Sequence, residues 1–424
     1  MLEALSQALP GAYDGNPGLA ERARPARLTL LVQSGPPVGE QWTVQLAAGR
    51  IGVLKGAVRV PDVTLTAAPE AWASYARAVP PVGYQSLVGM MRAGHLKAHG
   101  NMLEFARHLL LIEQVFARLR PARPADDLSK PVGKPWIERV TGRYLNLDLR
   151  GRPHRIYFEE AGPKESGGIP LLCLHTAGSD GRQYRAILND PEVTKTYRVI
   201  AFDLPWHGKS SPPAGYEREH YQLTTDLYVE TVMAVARALD LDRPVVMGCS
   251  IGGRVVLHLA LRHGGEFRAA IGLQSALAAD PGRDPILREL GIIARPDVHG
   301  GDAAAATVAC LIAPTAPDAD RWETLWHYSQ SGPGVFAGDL AYYSADGNLT
   351  AADIAPLVGG SCPIHLLTGE YDLSATPALT AELARLIKAR HFEVMRGLGH
   401  FPMSESPAEF LAYLRPILAR IAAS

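Results

Sequence analysis

Apolar and polar positions alternate in short runs along residues 27–32, 41–46, 50–55 and 63–66, and turn residues such as Ser34-Gly35-Pro36-Pro37 and Ala48-Gly49 separate them. A period of two broken by glycine and proline is the pattern of half-buried strands, and its close spacing predicts an antiparallel meander. The period then lengthens. Residues 69–77 read as a helix, a further segment follows at 85–92, and 102–119 form one long amphipathic run. Strands first and helices after make an α+β unit of the first 125 residues.

Pro121, Pro124, Pro131 and Pro135, with Asp126-Asp127 and Lys130 among them, interrupt the pattern with a stretch poor in large apolar residues. It reads as a semi-extended linker over 126–136. Beyond it strand-like runs at 144–149, 155–159, 169–175, 197–204, 245–248, 268–273, 364–367 and 392–395 are interleaved with helical runs, chiefly 224–239, 254–262, 378–389 and 407–422. Such alternation predicts an α/β domain over 137–424, a mostly parallel sheet with helices on both faces. The rhythm breaks at about 280–348, where Trp322, Trp326, Phe336, Tyr342 and Tyr343 fall among helical pieces. An aromatic insertion of this length is expected to form a helical cap.

A chain of 424 residues exceeds what one core usually sustains, which agrees with two domains. Forty-two basic residues balance 43 acidic ones, so no electrostatic footprint for nucleic acid is present. The first ten residues lack a basic and apolar leader pattern, and no uninterrupted apolar run reaches membrane-spanning length. The expectation is a soluble cytoplasmic protein without membrane insertion. Cys173, Cys249, Cys310 and Cys362 are far apart and share no ligand spacing, so neither a disulfide framework nor a zinc site is expected.

The chemistry concentrates at Gly248-Cys249-Ser250-Ile251-Gly252, a G-x-S-x-G pattern between an apolar strand and a helical run. Ser250 on so tight a turn would project its hydroxyl clear of the sheet, with Cys249 a weaker rival turned into packing. Serine needs a base in reach and an acid to orient that base. Asp372, in the loop after a buried strand, and His400, in Gly399-His400-Phe401, fill those roles. The amides of Ile251 and Ala177 are the expected oxyanion donors. Trp206, Thr176, Trp326 and Phe401 are the candidate substrate contacts, with the Trp322 and Trp326 pair also readable as cap core.

Two resemblances follow. Gly94-His95-Leu96-Lys97-Ala98-His99-Gly100-Asn101 leading into an apolar helix resembles the sterol carrier protein 2 (SCP2-like) domain, over roughly 15–120. It implies an apolar tunnel for acyl chains, or a domain kept for packing or homo-oligomerisation. Leu174-His175-Thr176-Ala177-Gly178, Phe202-Asp203-Leu204-Pro205-Trp206-His207-Gly208, the serine turn, Gly369-Glu370-Tyr371-Asp372 and Gly399-His400 together resemble the α/β-hydrolase superfamily. Thr176 departs from the glycine common there and narrows the loop. The resemblance also implies that His175 and His207 hold loops in place, and offers Asp280 as a second position for the acid. The resemblance implies an α/β-hydrolase fold preceded by a small SCP2-like domain, and a Ser-His-Asp triad cleaving an apolar carboxylic ester without metal or organic cofactor. Amide, carbamate or carbon–carbon hydrolysis, and a non-catalytic ligand-binding protein, are the alternatives. The second domain carries its own strands and triad, so residues 1–125 are expected to be dispensable for building the site.

Overall fold

The computed structural model describes residues 3–35, 39–121, 134–163, 167–279, 290–293, 295 and 297–424. The chain divides into two units, Met1–Ala125 with Gly282–Cys310, and Asp126–Pro281 with Leu311–Ser424.

In the first unit, strands β1 (Arg27–Ser34), β2 (Gln41–Ala47), β3 (Arg50–Lys55), β4 (Val63–Ala67) and β5 (Leu96–Gly100) form a sheet in the order β3-β2-β1-β4-β5. Only β1, β2 and β3 make the expected meander. β4 lies parallel to β1, with Leu30 opposite Val63. Asp62 seats this crossover: its carboxylate accepts from the amide of Thr29 at 2.7 Å, and its own amide donates to the Thr29 carbonyl at 2.9 Å. An alternating pattern marks a strand but does not say which neighbour it pairs with.

Helices Pro69–Tyr75 and Leu109–Phe116 share an aromatic core in which Trp72 stands 6.2 Å from Tyr75 and 6.4 Å from Phe116 between ring centroids. Two short helices outside the expected elements, Ala4–Ala8 and Pro17–Ala23, precede the sheet. The run 102–119 is not one helix. It breaks at His108 into Met102–Arg107 and Leu109–Phe116, followed by a tight turn at Ala117–Leu119.

Helix Gly300–Ala309 packs against Leu109–Phe116 with Ala303 to Ala309 all buried. The Gln85 side-chain amide donates to the carbonyl of Cys310 at 2.8 Å, and Arg107 is ion-paired with Asp297. The interval expected to form a single cap at 280–348 is therefore divided, since 282–310 groups with the N-terminal residues. An alanine-rich helix presents a small apolar face that names no partner in sequence. Most of the expected linker at 126–136, and Asp280, lie outside the described residues.

The second unit carries β6 (Thr141–Leu149), β7 (Arg152–Ala161), β8 (Ile169–Leu174), β9 (Tyr197–Phe202), β10 (Val245–Cys249), β11 (Ala269–Leu273), β12 (Ile364–Gly369) and β13 (His391–Met395). Their order is β13-β12-β11-β10-β8-β9-β7-β6, antiparallel from β6 to β9 and parallel elsewhere. Strands parallel and covered on both faces must be apolar throughout. Accordingly all five residues of β10 and of β11, and all six of β12, are buried. The chain runs from β8 outward to β9 and returns to β10 on the other side of β8, and ligands of open α/β sheets bind at such a switch point. Among the described residues no helix is long and apolar enough to cross a membrane.

Candidate active site

Ser250 stands between β10 and helix Ile251–His263 with φ +59° and ψ −112°, a conformation that costs a non-glycine residue on the order of 1–3 kcal/mol. The surroundings hold it there. Its amide donates to the carbonyl of Leu273 on β11 at 3.1 Å, and its carbonyl accepts from the amide of Arg254 at 2.8 Å. A Cβ at Gly252 would lie 2.6 Å from the carbonyl of Leu174 at the end of β8. The helix can sit this close to the sheet only because that position is glycine.

Cys249 is buried, and burial pushes its thiol well above the usual range. It donates to the carbonyl of His400 at 3.1 Å, which sets the residue before Ser250 against the His400 backbone.

Asp372 follows β12 and is fully buried. One carboxylate oxygen, Oδ2, accepts the Nδ1 proton of His400 at 2.8 Å. The other accepts from the amides of Ser374 at 2.7 Å and Ala375 at 3.2 Å. Because Nδ1 donates to a carboxylate, the neutral ring presents its lone pair at Nε2. Gln274 braces the two loops: its side-chain oxygen accepts from the Gly369 amide at 2.9 Å and its NH2 donates to the Gly399 carbonyl at 2.8 Å.

The loop after β8 is held from several sides. His175 donates from Nδ1 to the Thr176 carbonyl at 2.9 Å and accepts at Nε2 from the Leu204 amide at 3.1 Å. Burial, then the neighbouring His207, holds its pKa down to about 4, so it is neutral. The Thr176 amide and hydroxyl both donate to Gln183 Oε1, at 3.0 and 3.1 Å, and the Gly178 amide donates to Asp339 Oδ2 at 2.7 Å. Between them the amide of Ala177, like that of Ile251, donates to no group among the described residues.

Asp339, from helix Val335–Ala341, also accepts from His207 Nε2 at 2.8 Å and from the Tyr221 hydroxyl at 2.7 Å. His207 Nδ1 faces the Pro205 carbonyl at 2.9 Å. Both ring nitrogens meet acceptors, an arrangement that favours the imidazolium. Burial alone would lower its pKa, and the Asp339 carboxylate reverses that and raises it.

Residues 171–413, more than half of the chain, match the alpha/beta hydrolase family. The chain belongs to that family. Over 243 residues it is 28% identical to the magnesium-chelatase 30 kDa subunit of Rhodobacter capsulatus, covering 54% of this chain and 78% of that protein. Over 117 residues it is 32% identical to the 2-hydroxymuconate semialdehyde hydrolase of Pseudomonas sp. strain CF600, covering 27% of this chain and 39% of that protein. In the second case the chain spans under half of its relative. A thermophilic esterase of Thermogutta terrifontis shares the fold with a TM-score of 0.56 at 20% identity, over 66% of this chain and 99% of that one.

The alpha/beta hydrolase fold does not bring all the candidate substrate contacts into one place. Phe401 is buried with its ring edge-on to His400 at 4.9 Å and to Tyr328 at 5.5 Å. Thr176 is buried and its hydroxyl is engaged by Gln183 and by the Tyr328 hydroxyl. Trp206, at φ +74°, packs against Tyr216 and Tyr221. Trp326 is 58% exposed and Trp322 44%, so this pair is surface rather than cap core. Helical spacing puts two tryptophans on one face without saying which way the face turns.

Gln274, Tyr328, Asp339 and Glu405 escaped the sequence reading. Gln274 and Glu405 bond to backbone groups, which leave no spacing signal, while Tyr328 and Asp339 stand far along the chain from the loop after β8 that they hold.

Proposed function

We propose that the chain is a serine hydrolase cleaving an apolar carboxylic ester through a covalent acyl-enzyme. The observation that carries this reading is the buried 2.8 Å bond from His400 Nδ1 to Asp372, on the loop against which the serine turn is packed. Ser250 Oγ attacks the ester carbonyl and gives its proton to His400 Nε2, while Asp372 stabilises the resulting imidazolium. Negative charge on the carbonyl oxygen falls to the amides of Ile251, at the positive end of its helix, and Ala177. One such donor is worth about 10²–10³ in turnover. His400 then protonates the leaving alcohol, and water attacks the acyl-enzyme by the same route reversed.

Carbon–carbon bond hydrolysis is the second reading, favoured by the likeness to 2-hydroxymuconate semialdehyde hydrolase. A panel of p-nitrophenyl esters of increasing chain length, with an anilide and a diketone, separates the readings. Turnover of the diketone alone would replace the ester assignment.

The sheet and helices of the first unit, with the Gly94 to Asn101 motif on β5, support an SCP2-like role there, in apolar substrate capture or in homo-oligomer assembly. Asn101 Oδ1 accepts from the Glu104 amide at 3.2 Å and so starts the helix that the motif leads into. Cys173, Cys249, Cys310 and Cys362 are buried as thiols, which supports a cytoplasmic setting.

A further inference from the structure

We propose that Glu405 is a positioning residue for His400, a carboxylate behind the loop that fixes the imidazole by taking the main-chain amides on both sides of it. The inference rests on His400 being the general base. Glu405 ends the short helix Pro402–Glu405 and is fully buried. Its Oε1 accepts from the Gly399 amide and, at 3.3 Å, from the Ala313 amide, and its Oε2 accepts from the Phe401 amide at 3.2 Å. The His400 amide itself donates to the carbonyl of Leu311 at 2.9 Å. Three consecutive amides are thus pinned, the outer two on one carboxylate and the central one on the strand of chain that also feeds it Ala313. A Cβ at Gly399 would strike the Leu311 carbonyl and the Glu405 carboxylate, so residue 399 is glycine to let the grip close.

Three N–H donors and, among the described residues, no acceptor at the Glu405 carboxyl group call for the anion, since a protonated oxygen would accept poorly and leave its own hydrogen unpaired. Burial opposes that charge, and although the three amides and the nearby His400 pull the other way, the carboxyl group is held up at about 7. The titratable groups whose charge reaches it are His400 and the Cys249 thiol. Protonating Glu405 therefore releases the amides that orient the ring.

The test is Glu405→Gln, which keeps the shape, removes the charge and turns an NH2 toward amide donors. Misplacing a catalytic group by about 1 Å can cost on the order of 100-fold, so kcat is expected to fall about 10–100-fold while KM moves much less. The acid limb of kcat/KM in the native enzyme should be steeper than a single protonation. In the variant, which has no carboxyl group at residue 405, it should become a single protonation. Wild-type kcat with an unchanged acid limb would overturn the proposal. His400→Asn, run alongside, separates failures: activity there sinks the general-base reading itself. If Glu405→Gln does not fold, the native limb decides, and a single-proton slope contradicts a grip that protonation of Glu405 releases.

Discussion

The main-chain amide of His400 donates to the carbonyl of Leu311 at 2.9 Å, and Leu311 is the first residue of the second unit after the excursion Gly282–Cys310. One peptide bond separates a segment that belongs with the N-terminal residues from the group holding the candidate base. The expectation that residues 1–125 are dispensable for the site is put to the test by removing them.

Removing residues 1–125 strips helix Gly300–Ala309 of the face on which Ala303 to Ala309 are buried. Each lost apolar square ångström costs about 25 cal/mol, and the exposed alanine face also invites aggregation. A fragment starting at residue 126 is expected to melt lower than the full chain and to lose turnover on short esters as well as long ones. A fragment with the full chain's Tm and short-ester kcat would contradict this.

Asp339→Asn should destabilise the protein by about 3–5 kcal/mol, because it leaves the imidazolium of His207 buried without its carboxylate. It also loosens the Gly178 amide beside the candidate oxyanion donor. The native pair raises the pKa of His207, so its contribution is fully present below about pH 6.5, the unperturbed value, and is lost as pH rises through the raised one. Denaturation of both proteins should show the largest stability gap near pH 6 and a smaller one at pH 9. A gap that grows with pH would contradict the ion pair.

Thr176→Val keeps the volume of the residue that departs from the common glycine, and deletes the hydroxyl between Gln183 and Tyr328. An unmade buried hydrogen bond costs about 1–3 kcal/mol. Urea denaturation is expected to show a loss in that range together with reduced kcat. A variant as stable as the native protein would mean that the hydroxyl holds nothing.

Strands β8 to β12 of the larger sheet were legible because strands buried on both faces leave short apolar runs, and all eight strands appear within a few residues of their expected places. The serine turn was legible from its glycines, which the approach of Gly252 to Leu174 requires. Pairing was not: nothing in 63–66 says that β4 lies parallel beside β1. Nor does an alanine helix at 303–309 disclose that it leaves its own domain for Leu109–Phe116. The braces behind the site were hidden for another reason. Glu405 and Gln274 act on backbone amides and carbonyls, and any sequence supplies those.

The central claim is that Ser250 is a nucleophile activated by His400. Full-length protein treated with a fluorophosphonate and read by peptide mass spectrometry tests it most directly, alongside Ser250→Ala, whose turnover should fall by about four to six orders of magnitude. One phosphonyl group on the peptide bearing Ser250, absent in Ser250→Ala and formed far more slowly in His400→Asn, is the expected result. Labelling at another residue, or labelling of Ser250→Ala at the native rate, would contradict the account.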